Sequence, residues 1–124
     1  MATGSIRAYR AKRARMTADE RLRDDQTVAK YLDHLSSHHE FIDVQFFMRI
    51  VTAREVDLCW PQAAVIESAP WPASAVMIGD KQELLYDARQ VAAWNARMRA
   101  GAEFLRKCRW TAEAVKAGGE SNDA

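Results

Sequence analysis

Histidines and cysteines are the residues of this sequence whose chemistry can be judged first, from their spacing. His34 and His38 are four residues apart, so a helix would place both side chains on one face, where they could bind a metal ion. No third ligand follows at a recognisable spacing, and we therefore predict a solvated helix end without a metal. Cys59 and Cys108 have neither zinc-ligand spacing nor the density of a disulfide scaffold, which favours two reduced thiols.

Signatures of catalysis are missing from the sequence. It contains no serine-histidine-aspartate signature, glycine-rich phosphate loop, HExxH motif or paired-cysteine zinc pattern. Aspartate and glutamate are plentiful, but no pair of them has a spacing that demands acid–base catalysis. We therefore predict a protein that is not an enzyme, with no catalytic residue, no metal and no cofactor.

The composition is typical of a soluble globular protein. The 124 residues are 48% hydrophobic and 28% charged, and this length is sufficient for one domain with a buried core. No run of about 18 apolar residues exists, so we expect no membrane span. The N-terminus lacks the apolar segment of a secretion signal, which favours a cytoplasmic protein.

Charge is strongly segregated along the chain, although its net value is only +1. Residues 1–32 carry eight Lys or Arg against four acids, residues 33–87 three against nine, and residues 88–117 seven against two. Two basic ends around an acidic middle indicate charged partners rather than a particular fold. Residues 1–16 contain five Lys or Arg and no acid, which predicts a flexible basic arm that is either simply solvated or in contact with phosphate.

Helices are expected on both sides of the most apolar segment. A capping box at Thr17 begins a helix that should run to about residue 38. In residues 41–51 helical spacing and strand alternation both fit, and we favour a short helix to Phe47 followed by an extended stretch to Val51. A second capping box, Thr52 to Glu55, precedes short helices predicted over 53–59 and 61–68.

The stretch from Ala75 to Met98 organises the rest of the prediction. Two short apolar runs around a polar turn predict a β-hairpin with strands at 75–78 and 83–86. Asp87 should cap the following helix, with Gln90 completing a capping box, and this helix should reach residue 117. Residues 17–117 would then form a single domain, and residues 118–124 a disordered tail.

This order of elements resembles the excisionase/AlpA group of small winged helix-turn-helix proteins. The resemblance rests on the sequence TAREV from Thr52, on Trp71-Pro72 before the wing, and on Tyr86, Asp87, Val91 and Trp94 after it. The wing and the helix after it are also similar to the DNA-binding domain of lambda-like phage terminase small subunits. The resemblance implies a mainly α-helical fold with one β-hairpin: a winged helix-turn-helix-like domain between an N-terminal helix and a long C-terminal helix.

The resemblance implies a small phage-type or mobile-element DNA-binding protein, such as a regulator, an excisionase-like protein or a packaging accessory factor. The predicted recognition helix, PQAAVIESA, contains one acid and no base, and only Gln62 and Ser68 could read a base edge. Most phosphate contacts should therefore come from the arm, the wing and the last helix. The candidate DNA-binding residues are Arg10, Lys12, Arg13, Arg15, Gln62, Lys81, Arg97 and Arg99.

A protein–protein interaction module is the alternative interpretation. In it, a degenerate winged helix, for example a phage-encoded inhibitor, would occupy a basic surface on a host or phage protein through its acidic middle. Double-stranded DNA, a second copy of the chain bound through the C-terminal helix, and such a protein are the expected partners. The predicted core comprises Leu32, Leu35, Val44, Phe47, Val56, Leu58, Val65, Ile78, Leu85, Val91 and Trp94.

Overall fold

Five helices and three strands alternate along the chain. The computed structural model describes the backbone of residues 5–123 and the side chains of residues 6–105. The elements in chain order are α1 (Ser5–Arg15), α2 (Ala18–Ser37), β1 (Phe41–Asp43), α3 (Val44–Leu58), α4 (Gln62–Ser68), β2 (Ser74–Ile78), β3 (Lys81–Asp87) and α5 (Ala88–Asp123). None of the helices in this part of the chain is long and apolar enough to cross a membrane.

The predicted fold class is confirmed. Helices α3 and α4 form the helix pair, the β2–β3 hairpin forms the wing, and helical segments flank this unit on both sides. Strand β1, which the sequence did not reveal, pairs with β3 to complete an antiparallel sheet of order β1-β3-β2. Gly79 makes the hairpin turn with φ +64°, a backbone conformation that glycine adopts without steric cost.

Local capping explains where two of the helices begin. Thr17 caps α2 through a complete capping box: its Oγ1 accepts from the Glu20 amide at 3.2 Å, and Glu20 Oε1 accepts from the Thr17 amide at 2.9 Å. At α5, the Asp87 carboxylate accepts from the Arg89 amide at 2.8 Å. Both caps were predicted, but the structure shows no hydrogen bond from Gln90 to complete the second box.

Helix α3 is longer than expected. It runs without interruption from Val44 to Leu58, so the predicted extended stretch and the predicted helix start at Thr52 are wrong. The Thr52 hydroxyl donates to the Met48 carbonyl one turn back at 2.7 Å, because a threonine inside a helix can bond its own i−4 carbonyl instead of capping a new helix. Asp43 is the actual cap, and its carboxylate accepts from the Phe46 amide.

The core lies between α2, α3, α5 and the sheet. Phe47 stacks on Tyr86 with ring centroids 3.9 Å apart, and Trp94 packs against Phe47 and donates from Nε1 to the Ser68 hydroxyl. Seven of the predicted core residues are buried: Leu32, Leu35, Phe47, Leu58, Val65, Val91 and Trp94.

The remaining four core predictions differ from the structure. Val56 and Leu85 are half-buried. Val44 and Ile78 are exposed, because Val44 opens the first turn of α3 and Ile78 ends the outer strand of the wing. Position at the start of a helix thus accounts for Val44, whereas Ile78 belongs to an outer strand whose five residues are all exposed.

The two predicted terminal segments are also corrected. Residues 5–15 of the predicted flexible arm form α1, which packs on α3. Residues 118–123 of the predicted disordered tail continue α5. Apart from the link at residues 16–17 between α1 and α2, the two basic ends are therefore helical wherever the structure describes them.

Candidate interaction surfaces

Arg13, a predicted phosphate contact, is completely buried. Its guanidinium donates to Asp57 at 2.6 and 3.2 Å, to Asp24 at 3.0 Å and to Asp25 at 3.1 Å. Burial alone would lower the pKa of Arg13, but the hydrogen bond and charge of Asp57, together with the charge of Asp25, raise it above its usual value. The residue has 0% exposure and therefore cannot contact DNA in this fold.

A second buried arginine completes what we call the ionic junction, defined as Arg13, Arg54, Asp24, Asp25 and Asp57. Arg54 donates to Asp25 at 2.7 Å and lies 3.5 Å from Asp57. Burial lowers the pKa of Arg54, and the two carboxylates only partly offset this effect. Because these residues come from three helices, the junction ties α1, α2 and α3 together.

Two further predicted DNA contacts are also engaged in ion pairs. Arg10 binds Glu55 at 3.2 Å, and Arg99 lies 3.7 Å from Asp25 at the edge of the ionic junction. Both side chains are partly exposed, but their charges are matched by carboxylates, that of Glu55 in the acidic middle of the chain and that of Asp25 in the first basic segment. Arg13 is therefore corrected as a DNA contact because it is completely buried, whereas Arg10 and Arg99 remain predicted contacts whose charges are paired within the chain.

Aromatic contacts support the same junction. The Tyr9 hydroxyl donates to Asp24, and Arg49, which pairs with Asp24 at 2.8 Å, lies 5.1 Å from the centre of the Tyr9 ring. Burial, followed by the hydrogen bond to Asp24, raises the pKa of Tyr9 to about 12. Helix α1 contributes no residue to the hydrophobic core cluster, so polar contacts of this kind hold it in place.

The other five candidate DNA-binding residues are exposed. Lys12 and Arg15 lie on the outer side of α1, Gln62 begins α4, Lys81 follows the wing turn, and Arg97 lies on α5. They come from four different elements. Of the five, only Gln62 belongs to the helix pair, where a winged-helix protein would present its recognition helix.

Helix α4 is poorly equipped to read DNA. It has seven residues, and its exposed side chains include Ile66 and Glu67 but no lysine or arginine. A carboxylate and an isoleucine at this surface repel phosphate or leave it without a hydrogen-bond donor. Of the two residues that the sequence offered for reading a base edge, Gln62 is exposed, whereas the Ser68 hydroxyl donates to the Val65 carbonyl at 2.7 Å and accepts from Trp94 Nε1.

The wing exposes a run of apolar side chains. All five residues of β2 are exposed, with Met77 at 65% and Ile78 at 63%, and Val76 lies beside them. The strand contains neither a charge nor a proline, the two devices that most often protect an outer strand from pairing with another chain. The wing thus carries an unprotected apolar edge.

Trp71 extends this apolar surface toward α5. Its side chain is 86% exposed, the highest value among the large hydrophobic residues that the structure describes. It borders a cleft of about 610 Å³ that is also lined by Pro70, Pro72, Gln90 and Arg97. We define the apolar wing surface as Trp71, Val76, Met77 and Ile78, and the sequence signal for it was an apolar hairpin strand preceded by an aromatic-proline pair.

The histidines form no metal cluster with other described residues, and the last part of α5 lies outside the residues whose side chains the structure describes. His34 and His38 are adjacent, but His38 Nδ1 lies 2.8 Å from the His34 carbonyl oxygen, and the described residues contain no cluster of three metal-ligating side chains. The predicted self-association through the C-terminal helix falls largely on residues 106–123, whose side chains lie outside the described residues.

Comparison with known proteins adds no relative. No protein-family model matches the chain, and searches of curated proteins and of solved structures found no match either.

Proposed function

We propose that this chain is a protein-binding module that contacts its partner through the apolar wing surface. The observation that carries the proposal is an uncharged strand whose five residues are all exposed, close in the chain to a tryptophan that is 86% exposed. Exposed apolar patches of this kind are typical of protein interaction sites, and tryptophan is enriched among the residues that dominate binding energy. The winged-helix-like fold would then use its wing rather than its recognition helix.

The internal use of arginine supports this proposal. Three of the cations that a DNA-binding surface would need are paired with carboxylates of the same chain. Because phosphate neutralisation dominates affinity for DNA, each internal pair removes a contact that the helix pair does not replace. An apolar surface meets no such electrostatic obstacle.

A capture experiment with matched variants tests the proposal. The immobilised full-length chain is exposed to nuclease-treated host lysate that also contains untagged full-length chain, and the same is done with Trp71→Ala, Met77→Lys and the control Gln62→Ala. We expect a protein retained by the parent and by Gln62→Ala but lost from both wing variants. Retention that is unaffected by the wing variants and lost from Gln62→Ala would overturn the proposal.

DNA binding is the second candidate function, and one face of α1 favours it. Arg7, Lys12 and Arg15 are exposed on α1, and the described residues show no ion pair for any of them. We propose this face as the site of phosphate contact if duplex DNA is a partner. The Lys12→Ala/Arg15→Ala double variant should then reduce the slope of log affinity against log salt by about two units, roughly one for each lost phosphate contact. Equal slopes for parent and variant would exclude this face.

A further inference from the structure

The outer strand of the wing has one unpaired side. In the sheet order β1-β3-β2, strand β2 pairs with β3, and no strand in the described part of the chain covers its other edge. We infer that this edge pairs antiparallel with β2 of a second copy of the chain. The two-fold axis of this dimer would pass between Val76 of one copy and Val76 of the other. This inference rests on the proposed function, because it identifies the occupant of the apolar wing surface.

Exposure on both faces of β2 favours a strand as the occupant. Ala75 lies opposite Leu84, which packs on the core, and so Ala75 and Met77 share the inner face of the sheet. Val76 and Ile78 lie on the outer face, opposite Glu83 and Lys81. A helix or a globular surface laid on the wing would cover only one of these faces. A strand added at the edge places its own side chains beside both.

The residue sizes along β2 are complementary to a second copy in this register. With Val76 facing its own counterpart, Met77 lies opposite Ala75 of the other copy and Ile78 lies opposite Ser74. Each large side chain thus meets a small one, and the central valines meet each other. The strand contains no charge, so the two-fold pairing brings no like charges face to face.

The ends of the edge restrict the pairing to this segment. Pro72 lacks an amide hydrogen and stops the row of donors before β2, while the turn at Gly79 ends the strand on the other side. In the antiparallel arrangement the turn of one copy lies beside Trp71 and Pro72 of the other. The exposed indole of Trp71 would therefore be covered in the dimer.

The exposed area is adequate for a reversible dimer. A side chain the size of Trp71 exposes roughly 200 Å², and the three large apolar residues of β2 bring the total for two copies to the order of 1,000 Å². This is the lower limit for a specific protein–protein interface, and it implies an association that depends on concentration.

Sedimentation velocity of the full-length chain across a concentration series tests the inference. We expect the weight-average mass to rise from 14.0 kDa toward twice that value as concentration increases. Val76→Lys should raise the dimer dissociation constant by about tenfold or more, since it sets two like charges opposite each other and removes apolar contact. Gln82→Lys is the matched control, because it adds the same charge to β3, away from the edge.

A mixture of variants distinguishes this register from any other association. Val76→Lys and Val76→Glu should each remain monomeric alone and form a mixed dimer when combined, because opposite charges then face each other at the axis. Val76 is exposed, so circular dichroism and thermal unfolding should show both variants folded like the parent.

Two results would overturn the inference. A parent chain that stays at 14.0 kDa at every concentration excludes the second copy, and the capture experiment with the wing variants then decides the proposed function independently. A dimer that persists in both Val76 variants would place the self-association on another surface, such as α5.

Discussion

The ionic junction and the apolar wing surface invert the usual distribution of residues in a small protein. At the junction, two guanidiniums and three carboxylates lie between helices, with Arg13 completely buried. At the wing, methionine, isoleucine and tryptophan side chains face solvent. The chain thus uses buried charge to hold α1, α2 and α3 together, and it leaves apolar surface at the wing free for contact. The three predictions below test that contrast in order of decreasing effect.

Removing the central arginine should have the largest effect. Arg13→Ala leaves three carboxylates without their shared partner, and breaking a buried ion pair in this way costs about 3–5 kcal/mol of unfolding free energy. Arg15→Ala, on the outer side of the same helix, should change it by no more than about 0.5 kcal/mol. Urea unfolding of both variants measures the difference. Equal, small losses would show that α1 is not held by the junction.

Removing the Tyr9 hydroxyl should have an intermediate effect that depends on pH. Tyr9→Phe removes a hydrogen bond to a carboxylate and should lower the unfolding free energy by about 1–2 kcal/mol near neutral pH. The pKa of Tyr9 is raised from 10.0 to about 12, so its stabilisation is complete below pH 10 and is lost as the pH rises through about 12. The parent and the variant should therefore converge over this interval in urea unfolding curves. A constant difference up to pH 12 would contradict the assigned hydrogen bond.

Changing the wing should affect stability least. Met77 is 65% exposed and makes no core contact, so Met77→Ser should alter the unfolding free energy by at most about 0.5 kcal/mol. The same variant should weaken association through the wing, measured by sedimentation or capture. A loss of stability above about 1 kcal/mol would mean that the wing strand supports the fold and is not a free surface.

The sequence predicted features whose causes lie within a few residues. The Thr17 capping box needs only Glu20 three positions later, and the hairpin needs only two apolar runs around a glycine turn. Trp94 was predicted in the core because its helical spacing from Val91 defines one face of α5. Such patterns are local, so a single sequence is sufficient to detect them.

The ionic junction could not be predicted in the same way. The carboxylates around Arg13 lie 11, 12 and 44 residues further along the chain, and no periodicity links them to it. A basic segment without acids looks the same in sequence whether water or distant carboxylates solvate it. Arg10, Arg13 and Arg99 were consequently predicted as DNA contacts, and the acidic residues 33–87 were predicted to face outward.

The remaining errors arise because one pattern fits two structures. Thr52 and Glu55 match a capping box, yet a threonine hydroxyl can equally bond the preceding turn of a continuous helix. Ile78 fits an apolar strand, but alternation does not tell an outer strand from a covered one. Contacts between distant segments decide both cases.

The burial of charge at the junction makes the docking of α1 unusually dependent on temperature. The free energy of hydrating ions becomes less favourable on warming, so the cost of removing water from Arg13 and its three carboxylates falls as the temperature rises. The stabilisation from hydrophobic burial, in contrast, levels off per unit area at high temperature. Relative to the hydrophobic core, the docking of helix α1 should therefore become stronger as the temperature rises.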